Sequence, residues 1–288
     1  MMKLQTPVTL EPAPVSISYD DRILVLGSCF ADEIGQRLSD AGFRILANPF
    51  GTLYNPVSIG NAIARLESGV PFSPEDVVEM GANAGKICSF WHHTSFARDT
   101  AEVFLENANQ SLSEASAFWK DCTRVIVTLG TAWAFRFDST GETVANCLKR
   151  PAAEFTRYRL TLPQTSAILQ GIVTRYPGNQ FIFTVSPIRH LADGAHGNQL
   201  SKSTLLLATE GLPYFPSYEI MMDELRDYRW WAEDMVHPTK QAADYLCDRF
   251  IEWALSTREW DLYESKMQEW RRSRHQPFYS AGNSTRPE

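Results

Sequence analysis

Three runs of consecutive apolar residues, at positions 23–26, 125–129 and 181–185, constrain this chain more than any other feature, with only Thr128 and Thr184 interrupting them. A strand with one solvated face alternates apolar and polar residues. An unbroken short run therefore reads as a strand covered on both faces, as in a parallel sheet between helical layers. Each run ends in small or polar residues: Gly27-Ser28, Gly130-Thr131 and Ser186-Pro187.

Helical signals fill the intervals. Phe30, Ile34, Leu38 and Ala41 recur at helical spacing and Gly42 stops them. A strand is expected over residues 43–47 and helices over 56–66 and within 100–119, followed by a hairpin over 133–146 around Ser139-Thr140-Gly141. Thr161 and Gln164 form a capping box that opens a helix running toward Tyr176. Further helices are expected over 199–209, 238–253 and 260–271. Strands alternating with helices predict an α/β sandwich with a mainly parallel sheet. In such sheets ligands sit beyond the carboxyl ends of the strands, where the three runs place their small and polar residues.

The expected organisation is a surface segment (1–21), one domain (22–272) and a loose polar tail (273–288). A net charge of −7 argues against nucleic acid or an anionic membrane as partner. Five scattered cysteines (29, 88, 122, 147 and 247) without CxxC spacing read as reduced thiols. Residues 1–21 lack a leader pattern and no run of about 18 apolar residues occurs, so a soluble cytoplasmic protein is expected.

Ser28 sits where the first strand meets the first helix. Unpaired amides and the helix dipole favour negative charge there, so a serine could attack a carbonyl while nearby amides hold the oxyanion. Serine is equally a preferred helix cap. Cys29 is a competing nucleophile, because a helix N-terminus also lowers a thiol pKa, although a free cysteine is more commonly core. Asp234 and His237 supply a base and its orienting carboxylate on one tight turn. His92, His93, His190 and His196 form no recognisable metal grid, and neither GxGxxG nor GxxxxGK[ST] follows the first strand; no metal and no cofactor is expected. Arg189 and His190, just past a strand end, are candidates to bind a substrate carboxylate or phosphate, or to form a structural ion pair. Trp133 and Trp91 suit either a sugar-stacking wall or core.

The pentapeptide at 27–31, Gly-Ser-Cys-Phe-Ala, resembles the signature of the GSCFA family, whose members resemble the SGNH (GDSL-like) hydrolases. Companion stretches at 48–56, 129–133, 186–190, 214–219 and 234–238 resemble the same family, over about residues 22–255. The resemblance implies a three-layer α/β/α sandwich, the flavodoxin-like SGNH-hydrolase fold, with Ser28 as nucleophile and Asp234 and His237 as its partners. It also implies a glycine amide for the oxyanion, for which Gly51 is the nearest match, beside the amide of Ser28. The superfamily's Gly-x-Asn appears here as Gly130-Thr131-Ala132, without the asparagine; Thr131 and Asn146 are candidates to replace it. The expected activity is hydrolysis of small acyl esters, plausibly O-acetyl groups of a carbohydrate. The alternatives are acyl transfer with the same residues, or a glycan-binding module without turnover.

Overall fold

The computed structural model describes residues 6–81 and 85–274. In chain order it runs β1 (Arg22–Gly27), α1 (Cys29–Asp40), β2 (Arg44–Ala47) and α2 (Pro56–Ser68). A two-residue pair, β3 (Val78–Glu79) and β4 (Ile87–Cys88), precedes α3 (Ala101–Trp119) and β5 (Arg124–Leu129). Next come β6 (Trp133–Phe137), β7 (Thr143–Val144), β8 (Phe155–Arg159), α4 (Leu162–Arg175) and β9 (Gln180–Val185). The chain continues with α5 (Gly194–Ala208), β10 (Tyr214–Phe215), the single turn α6 (Ser217–Glu219), α7 (Lys240–Ala254) and α8 (Trp260–Arg274).

The central sheet has the order β10-β9-β5-β1-β2 and all its pairings are parallel. Counting only its own strands this is 5-4-3-1-2, the doubly wound order whose switch point falls between β1 and β5. Alternate side chains serve two cores. Leu24, Leu26, Val125, Val127, Phe181 and Phe183 meet the layer of α2–α5. Ile23, Val25, Ile126 and Ile182 meet α1, α7 and α8. The protein is thus a three-layer α/β/α sandwich around a five-stranded parallel sheet, and the unbroken apolar runs are its central strands.

Several details differ from expectation. The predicted hairpin gains β8 as a third antiparallel strand, in the order β7-β6-β8. Helix α5 begins five residues earlier than its apolar pattern suggests, and α7 begins at Lys240 because Thr239 caps it and Pro238 bridges to Trp231. Val15 and Ile17 of the N-terminal segment are buried, and Ile17 exchanges backbone bonds with Ala254 and Ser256. The loose tail was expected from residue 273; α8 continues through Arg274, and 275–288 lie outside the described residues.

Candidate active site

Gly27 and Ser28 make the corner between β1 and α1. Gly27 has φ +136°, and a Cβ there would lie 2.1 Å from Thr128 O, so only glycine lets the two strand ends approach this closely. Ser28 caps α1, its Oγ accepting from Phe30 N at 3.3 Å. The same Oγ donates to Ser186 Oγ (2.9 Å) and shares a hydrogen bond with Thr128 Oγ1 (3.0 Å). Three strand ends therefore contribute one buried hydroxyl cluster.

The segment after β2 stitches these ends together. Asn48, at φ 43°, accepts from Gly27 N through Oδ1 (2.9 Å) and donates through Nδ2 to Asp32 Oδ1 (2.7 Å). Leu53 N donates to Gly27 O, and Tyr54 O accepts from the amides of both Gly130 and Thr131. Asn55 then caps α2, accepting from Ser58 N at 2.9 Å.

On the opposite side lies the turn that carries Asp234 and His237. Asp234 Oδ1 accepts from the amides of Val236 (2.9 Å) and His237 (3.0 Å), while Oδ2 meets His237 Nδ1 at 2.6 Å. Met235 adopts φ 56° to allow this, a left-handed conformation that costs a non-glycine residue energy. The turn is tied to the sheet by Arg189 N, which donates to Val236 O at 3.1 Å. Trp231, at its base, lies under the Arg189 guanidinium at 3.8 Å.

A cavity of about 370 Å³ joins these parts, beyond the carboxyl ends of the strands. Ser28 and His237 both line it, with Cys29, Tyr54, Asn55 and Trp133 among their neighbours. No hydrogen bond joins Ser28 to His237 among the described residues; Ser28 Oγ is turned toward Thr128 and Ser186. A larger groove of about 800 Å³ lies between the end of α2 and α3. It holds no histidine to serve as a base, so size alone does not mark the site.

The GSCFA family model matches residues 22–250, most of the chain and all of this cavity's lining. The chain belongs to the GSCFA family. No curated protein matches it.

The GSCFA pentapeptide is thus the β1–α1 corner. Of the residues picked out from the sequence, Thr131, Arg189 and His190 also line the cavity. Gly51 does not: its amide donates to Asn48 O at 2.7 Å and its α-carbon packs against His93. Asn146 lies outside the lining too and accepts from Leu148 N. Gly130 contributes its carbonyl to Lys202 rather than a free amide. The Thr131 hydroxyl is committed to Ser201 Oγ and Trp133 N. The Ser28 amide donates to Thr128 O at 3.1 Å. His92 is enclosed by Phe50, Phe72, Phe96 and Phe104, and burial drives its pKa down to about 3. It is a core residue.

The electrostatics follow from burial and geometry. The amide and ring of His237, with the Val236 amide, hold the Asp234 carboxyl down to about 2, so it is ionised at neutral pH. Burial, aided by Asp32, raises the Cys29 thiol to about 11 and outweighs the nearby helix amides. Burial and the Lys202 ammonium lower His190 to about 4, leaving a neutral ring whose Nε2 is buried without a partner among the described residues. Arg157 stacks on Trp133 at 4.1 Å and pairs with Asp193. Arg189, by contrast, lays its guanidinium over the Trp231 ring.

Lys202 and Asn55 are two of the residues at the site that sequence reading misses. Lys202 is fully buried, its Nζ donating to Gly130 O and Ser186 O at 2.8 Å each. Its signal was present: Asn198, Ser201, Lys202, Leu205 and Ala208 share one buried helical face. Asn55 is the other, hidden because an asparagine before a proline-led helix reads as an ordinary cap.

Proposed function

We propose that this protein is a serine-dependent acyl-ester hydrolase of the kind the SGNH resemblance implies. The observation that carries the reading is the convergence of Ser28 with the Asp234–His237 pair on one cavity at the sheet's carboxyl edge.

In this reading Ser28 Oγ swings away from Thr128 and Ser186 and attacks the ester carbonyl carbon. Its proton passes to His237 Nε2, and the carbonyl oxygen becomes an oxyanion. Asp234, bonded to Nδ1, fixes the tautomer and stabilises the imidazolium. Collapse of the tetrahedral intermediate breaks the ester C–O bond, and His237 returns the proton to the departing alcohol. Water then releases the acyl group from Ser28 by the same steps in reverse. If a second alcohol takes the place of water, the same residues perform acyl transfer. The cavity's size and its Tyr54, Trp133 and Phe135 lining suit a small acyl ester, including an O-acetylated sugar.

A second reading, a glycan-binding module without turnover, draws on one observation: the Ser28 hydroxyl rests in bonds to Thr128 and Ser186. A fluorophosphonate probe separates the two. Labelling of wild type and of Cys29→Ala but not of Ser28→Ala is the expected result for the hydrolase. Absence of labelling in folded wild type favours the binding module.

A further inference from the structure

A serine hydrolase needs donors aimed at the oxygen that becomes negative, and the backbone amides expected to serve are occupied. Ser28 N bonds Thr128 O, Gly51 N bonds Asn48 O, and Gly130 N and Thr131 N both bond Tyr54 O. The Thr131 hydroxyl is also engaged.

Besides the unpaired Trp133 Nε1 and His190 Nε2, two donors at the cavity belong to the helix starts of α1 and α2. One is the amide of Cys29, the first of α1, which faces its own thiol. The other is the side-chain amide of Asn55. This residue is 5% exposed, and it lines the same cavity as Ser28 and His237. Its Oδ1 is pinned by Ser58 N, which leaves Nδ2 as the free branch, without a partner among the described residues.

We infer that Asn55 Nδ2, together with the Cys29 amide, forms the oxyanion hole of this protein. Asn55 takes the role that the superfamily gives to the asparagine missing beside Gly130. The inference rests on Ser28 being the nucleophile. The two helix caps then divide the work: the cap of α1 attacks, and the cap of α2 stabilises the charge that the attack creates. Because the Asn55 carbonyl anchors the first turn of α2, its nitrogen is held by the fold before substrate arrives. Such preorganisation makes an oxyanion donor effective. The bond at Nδ2 strengthens as the carbonyl oxygen gains charge, so it acts on turnover more than on ground-state binding.

The test uses two substitutions that keep the cap acceptor. Asn55→Ser retains a hydroxyl for Ser58 N but has no amide to reach the cavity. Asn55→Asp keeps the shape and replaces the donor by a carboxylate oxygen. With p-nitrophenyl acetate, Asn55→Ser is expected to lower kcat about 10²–10³-fold with KM little changed, and Asn55→Asp at least as much. Affinity for an alkyl boronic acid, whose adduct on Ser28 is tetrahedral and anionic, falls with kcat. Melting temperatures near wild type show that the caps are intact. Wild-type kcat in Asn55→Ser, with wild type labelled at Ser28 by the fluorophosphonate, overturns this inference alone. Wild type that is neither labelled nor active overturns the hydrolase reading and the inference with it.

Discussion

Asp234 holds His237 from two sides: one carboxylate oxygen takes the ring Nδ1 at 2.6 Å, and the other takes the residue's own backbone amide at 3.0 Å. The turn therefore fixes the ring's tautomer and its position with a single side chain. Asp234→Asn keeps the oxygen that accepts the Val236 and His237 amides but removes the acceptor for an Nδ1 proton. A fall in kcat of about 10²–10⁴-fold is expected, with the fold unchanged by circular dichroism. Unaltered turnover removes Asp234 from the mechanism.

The Ser28 oxygen that caps α1 is also the nucleophile of the proposed reaction. Replacing Ser28 by alanine removes an α1 cap and leaves Thr128 Oγ1 and Ser186 Oγ each short of one buried partner. We expect Ser28→Ala to lose about 1–2 kcal/mol of stability while losing fluorophosphonate labelling completely. Urea denaturation and probe labelling on the same preparation separate the two effects. Labelling that persists in a folded Ser28→Ala protein moves the nucleophile elsewhere.

What the sequence made legible follows what physical signal each element leaves. The central strands declare themselves because burial on both faces removes polar alternation, and the β1–α1 corner because a strand, a glycine and a helix cap meet there. Strand β10 is two residues long, too short to carry any period. The start of α5 contains Gly194 and Gly197, weak helix formers, and no side-chain cap bond marks it. Only their order along the chain points to Gly51 and Asn146. Whether an amide is free depends on contacts between distant segments, such as Tyr54 O reaching Gly130 and Thr131. For the same reason the Asn55 donor appears only once its carbonyl is seen to be occupied.

Cys29 faces the cavity beside Ser28 and is the natural rival for the attack. Its thiol, raised to about 11 by burial, stays protonated at neutral pH, and the thiolate is the nucleophilic form. Cys29→Ser is expected to keep turnover within a few-fold of wild type. Iodoacetamide is expected to modify Cys29 only slowly at pH 7.5, read by mass spectrometry of the peptide that spans the corner. Rapid alkylation coupled to loss of activity in Ser28→Ala assigns the chemistry to sulfur.

Lys202 couples the same region to pH. It is buried and its pKa is lowered to about 7 from an ordinary 10.5, chiefly by burial. Below about pH 7 the folded and unfolded chains both hold its proton, and this group adds no pH dependence. Between about 7 and 10.5 the unfolded chain keeps a proton that the folded chain has released, so folding gains stability as pH rises. From pH 7 to 9 the gain is about 2 kcal/mol. Lys202→Met removes that titration, whatever it does to stability at pH 7 through the freed carbonyls of Gly130 and Ser186. Urea denaturation at the two pH values therefore reads the difference between wild type and variant. That difference moves in favour of wild type as the pH rises; parallel behaviour of the two proteins means that Lys202 keeps an ordinary pKa and its charge inside the fold.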